Sequence, residues 1–224
     1  MSSIACVVTA YQIPKRLVEN YIIANDFQNQ DVRLYIVVKK GDIIPAPPHI
    51  TVIEIPKQKI FNIGKTANVG IRRAIFDGAD IILKTDIDNV ISAGVFEQIK
   101  QTTVKKGFCY RNWNIASLRD LDNPILDPKT MGSICLHKDT WNALRGYNEL
   151  LEGYGYDDAH IFKRALISGL DIKVFFDPIM YHITHASGEK HNINTINPLK
   201  RKENLKASKT NWLDCVEPEK WGII

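Results

Sequence analysis

Asp86 and Asp88 are one residue apart at the end of the stretch Ile81-Ile82-Leu83-Lys84-Thr85-Asp86-Ile87-Asp88-Asn89. A short apolar run bounded by polar residues predicts a buried parallel strand. Strand alternation then predicts that both carboxylates project to one side as the strand runs out. In open α/β sheets that carboxyl edge is where ligands sit. The two acids read as a pair with no balancing charge nearby, and neighbouring carboxylates repel unless a cation lies between them. Mg²⁺ or Mn²⁺ bridging to phosphate oxygens answers that need with hard oxygen ligands. Taken alone, D-x-D reads first as a polar strand end that opens a turn, so the weight falls on what accompanies it.

Asp157 and Asp158 follow Gly153-Tyr154-Gly155-Tyr156 and precede a helical pattern. The glycines permit positive φ or close backbone approach. Acids in a helix's first turn also complement its dipole. Held in a cleft, one of them can take the proton from a hydroxyl nucleophile, while the other accepts hydrogen bonds from the same acceptor. His182 and His185, three apart, can direct two imidazoles at one metal, and imidazole favours Mn²⁺ over Mg²⁺. With Asp88, phosphate oxygens and water they would complete an octahedral site. His191 is nearby, but nothing in the sequence fixes its distance.

The elements that must position these residues are legible in the first half. Ile4 to Ala10 predicts a buried strand, Lys15 to Phe27 a helix entered at Pro14, and Leu34 to Val38 a second strand. Ile50 to Ile55 alternates as a third strand after a proline-rich loop, and Gly64 to Phe76 predicts a helix leading into the D-x-D strand. Strand, helix, strand, strand, helix, strand is the order of a parallel α/β sheet with a nucleotide-binding half. The second half predicts a helix from Val95 to Val104 and strands at Gly107–Trp113 and Gly132–Leu136. A loop is expected over Ile115–Lys129, then helices at His137–Leu144 and Ala159–Ile167. A strand follows from Leu170 to Phe176, and a polar Asn- and Lys-rich stretch runs to about Lys209. We expect one domain: residues 1–95 for nucleotide binding, 96–205 for acceptor and catalysis, and 206–224 as a C-terminal tail.

The whole chain narrows the classes. Its 224 residues suffice for one core, with 45% hydrophobic and 24% charged residues. A formal charge of +4 is too small to argue for nucleic-acid binding and fits a polyanionic ligand such as a nucleoside diphosphate. Cys6, Cys109, Cys135 and Cys215 have no C-x-x-C spacing, so reduced thiols are expected rather than zinc or disulfides. The start lacks signal-peptide character and no apolar stretch approaches spanning length, which predicts a cytoplasmic protein. The run Lys200-Arg201-Lys202 with Lys206 and Lys209 reads as a solvated helix face. Peripheral docking on an anionic membrane or acceptor is the secondary expectation.

Several of these segments together carry a resemblance. Phe61-Asn62-Ile63-Gly64-Lys65-Thr66-Ala67-Asn68-Val69-Gly70 followed by Thr85-Asp86-Ile87-Asp88 is similar to the F-N-x-x-K-x-x-N-V-G … D-x-D series of the β-1,4-galactosyltransferase family. Gly132-Ser133, Gly146-Tyr147, Gly153 to Asp158 and His182-Ile183-Thr184-His185 follow in that family's order and at similar spacing, over roughly residues 4 to 205. Bacterial polysaccharide glycosyltransferases share much of the pattern. The resemblance implies the GT-A fold, a Rossmann-like, mostly parallel sheet flanked by helices in one domain.

The resemblance also implies roles. Asp88 and His185 would bind Mn²⁺ or Mg²⁺, with His182 where the family has a Met ligand. Asp158 matches the catalytic base, and Asp157 stands where a Glu binds acceptor. Asp86 would contact the donor's ribose or sugar, with Phe61, Lys65 and Asn68 close to the nucleotide and Gly132 beside the donor. The segment from Ala186 to about Arg201 matches a loop that closes over the donor. Other segments depart from the pattern, and the expected absence of the animal enzymes' membrane anchor, stem and disulfides fits a cytosolic bacterial or phage enzyme. Thr9-Ala10-Tyr11-Gln12 replaces an arginine-rich turn, leaving Thr9 and Tyr11 for donor contacts, and Tyr154 replaces a Trp that packs on the acceptor sugar. Thr130 is small where the family is bulkier, which implies room for an acetamido group. The expected activity is transfer of a hexose or N-acetylhexosamine from a UDP-sugar to a saccharide or other hydroxyl acceptor, with inversion. The alternatives are an inactive nucleotide-sugar-binding module and a metal-dependent nucleotidyltransferase, the latter without a glycine-rich phosphate loop near the first strand.

Overall fold

The computed structural model describes residues 3–25, 27–44, 46–103, 108–112, 115–117, 132–153, 155–175, 180–182, 198–207, 209 and 212–223. Short apolar segments build a central sheet from β1 (Ile4–Thr9), β2 (Val32–Lys39), β3 (Ile50–Ile55), β4 (Ile81–Thr85), β6 (Phe108–Asn112), β8 (Ile134–His137) and β9 (Asp171–Phe175). Their order is β3-β2-β1-β4-β8-β6-β9. Pairing is parallel from β3 to β4 and between β6 and β9, whereas β8 runs antiparallel to both of its neighbours. The carboxyl ends of β1, β2 and β4 therefore share one edge, with the amino end of β8 beside them.

Alternation along the buried strands gives each sheet face its own core. Ile4, Cys6 and Val8 of β1, with Leu34, Ile36 and Val38 of β2, meet Val18 and Tyr21 of helix α1 (Lys15–Asn25). Val95, Phe96 and Ile99 of helix α3 (Ala93–Thr103) complete that layer. Ala5 and Val7 point the other way, toward Ala67, Ile71 and Ala74 of helix α2 (Ile63–Phe76). Trp141 and Leu144 of helix α4 (Lys138–Leu144) and Ile161 and Ala165 of helix α5 (Asp157–Ile167) extend this second core. The arrangement is a mixed α/β fold in a single domain.

The stretch expected as a tail joins the second core. Trp212 and Trp221 are 3% and 1% exposed. Trp212 Nε1 donates to the Arg145 carbonyl, and Arg145 donates in turn to the carbonyls of Leu213 and Val216. Arg72 of α2 lies 5.4 Å above the Trp221 ring and donates to the Trp221 carbonyl.

Several elements differ from expectation because their partners are distant in sequence. Ile115–Ser117, expected within a loop, is strand β7. It pairs with β10 (Met180–His182), which also pairs with β5 (Asn89–Ile91) in a second, three-stranded sheet. Within the polar stretch Pro198–Ala207 forms helix α6, in keeping with the helix expected for the basic run. Helix α5 begins at Asp157, two residues earlier than its apolar pattern suggests. Among the described residues Cys6 and Cys135 are buried and Cys215 is exposed. No described helix is long and apolar enough to cross a membrane.

One polar clamp sets the amino-terminal side of the sheet. Asp80, just before β4, accepts from Lys138 Nζ at 2.7 Å and from the Ser3 N–H at 3.1 Å. The Lys138 ammonium, then the Ser3 amide, hold its carboxyl below the usual carboxylate range. A depressed folded-state pKa stabilises above the unfolded value and loses that contribution as pH falls through the folded value. Stability should therefore drop on acidification below about pH 4, and Asp80→Asn should flatten that drop. Urea denaturation at pH 7 and pH 3 measures it, and an equal loss in both proteins would remove Asp80 from the cause.

Candidate active site

β4 stops at Thr85, and Asp86-Ile87-Asp88 forms a turn closed by the Asn89 N–H donating to the Asp86 carbonyl at 3.2 Å. The expectation that both acids project from one strand face is therefore corrected, since alternation ends with the strand. Asp86 keeps 27% of its side chain exposed, whereas Asp88 is 6% exposed. The turn is anchored from inside. Thr85 and Ser133 share a hydroxyl–hydroxyl bond of 2.7 Å, and Asn89 Nδ2 donates to both oxygens. Asn25 at the end of α1 accepts from the Ile91 N–H at 2.6 Å and donates to the Asn89 carbonyl at 3.2 Å. These bonds supply the partners that burial of polar groups demands.

The acids are also not unbalanced. Lys84, the penultimate residue of β4, is 1% exposed, and its ammonium donates to Asp86 Oδ1 at 3.0 Å and to the Gly132 carbonyl at 3.1 Å. The same ammonium lies 3.8 Å from Asp158 Oδ1 and 5.7 Å from the centre of the Tyr147 ring. Burial opposes a charged lysine, yet the carboxylates of Asp86 and Asp158 outweigh it and hold Lys84 well above the usual lysine range. A Cβ at position 132 would lie 1.9 Å from Asp86 Oδ2, so a larger residue there would push the Asp86 carboxylate aside. Sequence reasoning passed over Lys84. Its signal was a lone charge inside an otherwise apolar strand.

Asp157 and Asp158 arrive at this edge on the first turn of α5. The approach is backbone-strained: Gly153, Gly155 and the N-cap residue Tyr156 have φ of 74°, 104° and 73°. A left-handed non-glycine residue costs energy that the surroundings must offset, and such sites cluster where function needs a fixed geometry. Three contacts hold the segment. The Gly153 N–H donates to the Phe61 carbonyl at 2.7 Å, and Asn62 Nδ2 donates to the Glu149 carbonyl at 2.7 Å. From α6, buried Asn204 donates to the Glu152 carbonyl at 2.8 Å. The two acids then part company. Asp157 is buried, which pushes its carboxyl pKa up against the pull of Lys84, whereas 23% of the Asp158 side chain faces solvent.

The Phe61–Gly70 segment does different work from end to end. Asn62 caps α2 by accepting from the Lys65 N–H at 2.7 Å, and Lys65 is half-buried in the helix's first turn. Asn68 is fully buried. It donates to the Tyr147 carbonyl and to Glu149 Oε1 and accepts from the Tyr147 N–H at 2.7 Å. Expected near the nucleotide, it instead positions the 146–149 segment from inside. Phe61 stacks on Tyr11 at 4.9 Å. Tyr11 is 3% exposed and accepts from the Gln58 N–H at 2.7 Å, while Thr9 ends β1 in a buried position. Beyond them Gln12, Ile13, Pro14, Lys39 and Asp42 line an open depression of about 390 Å³ at the ends of β1 and β2.

For the expected metal ligands, β10 places His182 in register opposite Asn89, next to Asp88 in the chain. The buried Asp88 carboxylate and a neighbouring histidine are the oxygen and nitrogen donor types that suit Mn²⁺, so the residues fit such a centre in kind. Among the described residues no three His, Cys, Asp or Glu side chains gather as a cage. His185, His191, Thr130, Tyr154 and residues 186–197 of the expected donor-covering segment, which runs from Ala186 to about Arg201, lie outside the described residues, as does the side chain of His182.

Comparisons with known proteins agree with this architecture. A family model described as the N-terminal domain of galactosyltransferase matches residues 122–186. No curated protein matches the chain in sequence. Among solved structures, the catalytic domain of Drosophila β1,4-galactosyltransferase 7 in complex with xylobiose superposes with a TM-score of 0.65 at 15% identity, covering 97% of this chain and 85% of that one. Staphylococcus aureus TarS in complex with UDP-GlcNAc gives 0.61 at 12% identity, over 92% of this chain and 64% of that one. The mannosyltransferase PcManGT from Pyrobaculum calidifontis in complex with GDP-Man and Mn²⁺ gives 0.60 at 13% identity, over 84% and 58%. At these identities the likeness speaks for the fold. The chain has the GT-A fold of glycosyltransferases, and within it resembles the β-1,4-galactosyltransferase catalytic domain.

Proposed function

We propose that this chain is a metal-dependent glycosyltransferase that moves a hexose or N-acetylhexosamine from a UDP-sugar to a hydroxyl acceptor with inversion. The observation that carries the proposal is the meeting of two acid motifs at one sheet edge. Asp86 on the turn after β4 and Asp158 on α5 both lie within ion-pair distance of the same Lys84 ammonium, at 3.0 and 3.8 Å. The company the fold keeps supports the donor class: one neighbour holds manganese, UDP-Gal and xylobiose, and another holds UDP-GlcNAc.

We assign the roles as follows. Asp158, the partly exposed acid, takes the proton of the acceptor hydroxyl, and that oxygen attacks the anomeric carbon from the face opposite the diphosphate. The bond from that carbon to the diphosphate oxygen breaks, and UDP leaves with the electron pair. Asp86 orients the donor sugar, and the Phe61 and Lys65 side of α2 borders the nucleotide. Asp157, buried beside the base, accepts from the acceptor only at its exposed margin. Asp88, His182 and His185 would hold Mn²⁺ or Mg²⁺, which neutralises charge on the departing diphosphate when bound. The basic residues Lys206 and Lys209 are exposed and leave room for contact with an anionic acceptor surface.

Calorimetric titration of UDP and GDP, with and without Mn²⁺, tests the donor half. UDP should bind in a metal-dependent way to the wild type, and Asp88→Ala should abolish the metal dependence. Binding indifferent to metal in both proteins would sink the D-x-D reading. For the acceptor half, Asp158→Asn should leave UDP affinity intact and lower turnover by about 10²–10⁴-fold. Near-wild-type turnover would take Asp158 out of the role, and the product anomer read by NMR in the same assay decides inversion.

A further inference from the structure

Lys84 is the most deeply buried cation among the described residues, at 1% exposure against 9% for Arg164. Burying an ammonium without a compensating charge costs several kcal/mol, so its place calls for an account beyond packing. Its nitrogen touches three separate segments: Asp86 Oδ1 at 3.0 Å on the turn after β4, the Gly132 carbonyl at 3.1 Å before β8, and Asp158 Oδ1 at 3.8 Å on α5. The ionisable groups facing it are Asp86 from the turn, Asp157 and Asp158 from α5, and the Tyr147 phenol from the loop before α5. The contacts are not equivalent. From Lys84, Asp86 receives a hydrogen bond, whereas Asp158 at 3.8 Å receives an ion pair only.

We propose that Lys84 is a positioning residue for the transfer, tying the donor-side Asp86 to the acceptor-side Asp158 through one shared ammonium. The inference rests on the glycosyltransferase reading above and deepens it. A base within hydrogen-bond distance of an ammonium would have its lone pair engaged by that proton donor. Lys84 acts on the Asp158 carboxylate through charge, which keeps it ionised and aimed without handing it a proton. The link also sets the distance between the two halves of the site, because both acids answer to one buried nitrogen. Lys84 itself does not titrate in the working range. Its raised value keeps it charged until pH climbs above the ordinary lysine range, near about 10.4.

The test uses the full chain carrying Lys84→Met, which retains much of the volume and removes the charge. Carboxyl-carbon NMR on metal-free protein follows Asp158, assigned through Asp158→Asn. Its titration midpoint should rise by about one pH unit or more when the counter-charge is lost. In the transfer assay kcat should fall about tenfold or more and the acidic limb of its pH profile should move up, with a smaller change in acceptor KM. Should Lys84→Met fold poorly, the double variant with Asp158→Asn decides. Removing Lys84 should cost less stability when Asp158→Asn is already in place than in the wild type if the pair is real. An active wild type with an unmoved Asp158 midpoint, or equal costs in the two backgrounds, overturns the role of Lys84 alone. A wild type that neither binds UDP nor transfers sugar overturns the glycosyltransferase reading and this inference with it, whatever the NMR midpoint.

Discussion

A lysine ammonium in the centre of a sheet is tolerated only where carboxylates and carbonyls replace its water. That constraint organises the functional edge of this protein. Lys84 sits one residue before the end of β4, and meeting its needs brings three otherwise separate segments together: the D-x-D turn, the Gly132 backbone and the first turn of α5. The requirement reaches into details that look unrelated. A side chain at position 132 would displace the Asp86 carboxylate that balances Lys84. The backbone before α5 has to pass through positive φ at Gly153, Gly155 and Tyr156 to deliver its acids there. Strain of this kind persists only where the surroundings overdetermine it.

The surroundings do so with buried amides more than with charges. Asn62, Asn68 and Asn204 bond the 146–155 segment from α2 and α6, and Glu149 returns the favour by accepting from Asn68 and from the Gly222 N–H. The carboxyl-terminal residues thus belong to the site's support, with Trp221 buried under Arg72 and Trp212 bonded to Arg145. Buried polar networks of this sort rigidify a core and specify one arrangement. The site therefore rests on two supports. One is an ionic centre at Lys84, and the other is an asparagine-rich frame behind the glycine turn.

Much of this was legible in the sequence. The apolar runs at Ile4, Leu34, Ile50 and Ile81 became β1 to β4, and the helical spacing before the D-x-D became α2. The motif order pointed to the fold that the solved neighbours share. Each misreading has its own physical cause. Extending strand alternation through Asp88 failed because Asn25, Asn89 and Ser133 close a turn there. β5, β7 and β10 went unseen because three-residue strands carry almost no periodicity and exist only through each other. Asn68 looked like a ligand contact because a motif position does not announce whether its side chain faces out or in.

Residue types, motif order and the main strands and helices were determined by the sequence itself, since hydrophobic period and helix capping act within a few residues. Only the tertiary structure decided which acid meets solvent, which is buried, and what neutralises them. Those answers depend on Lys84 reaching the Gly132 carbonyl 48 residues away and on Asn68 gripping Tyr147 across 79. Electrostatic pairing and burial act through space, so they exist only once the sheet and its helices have brought such groups together.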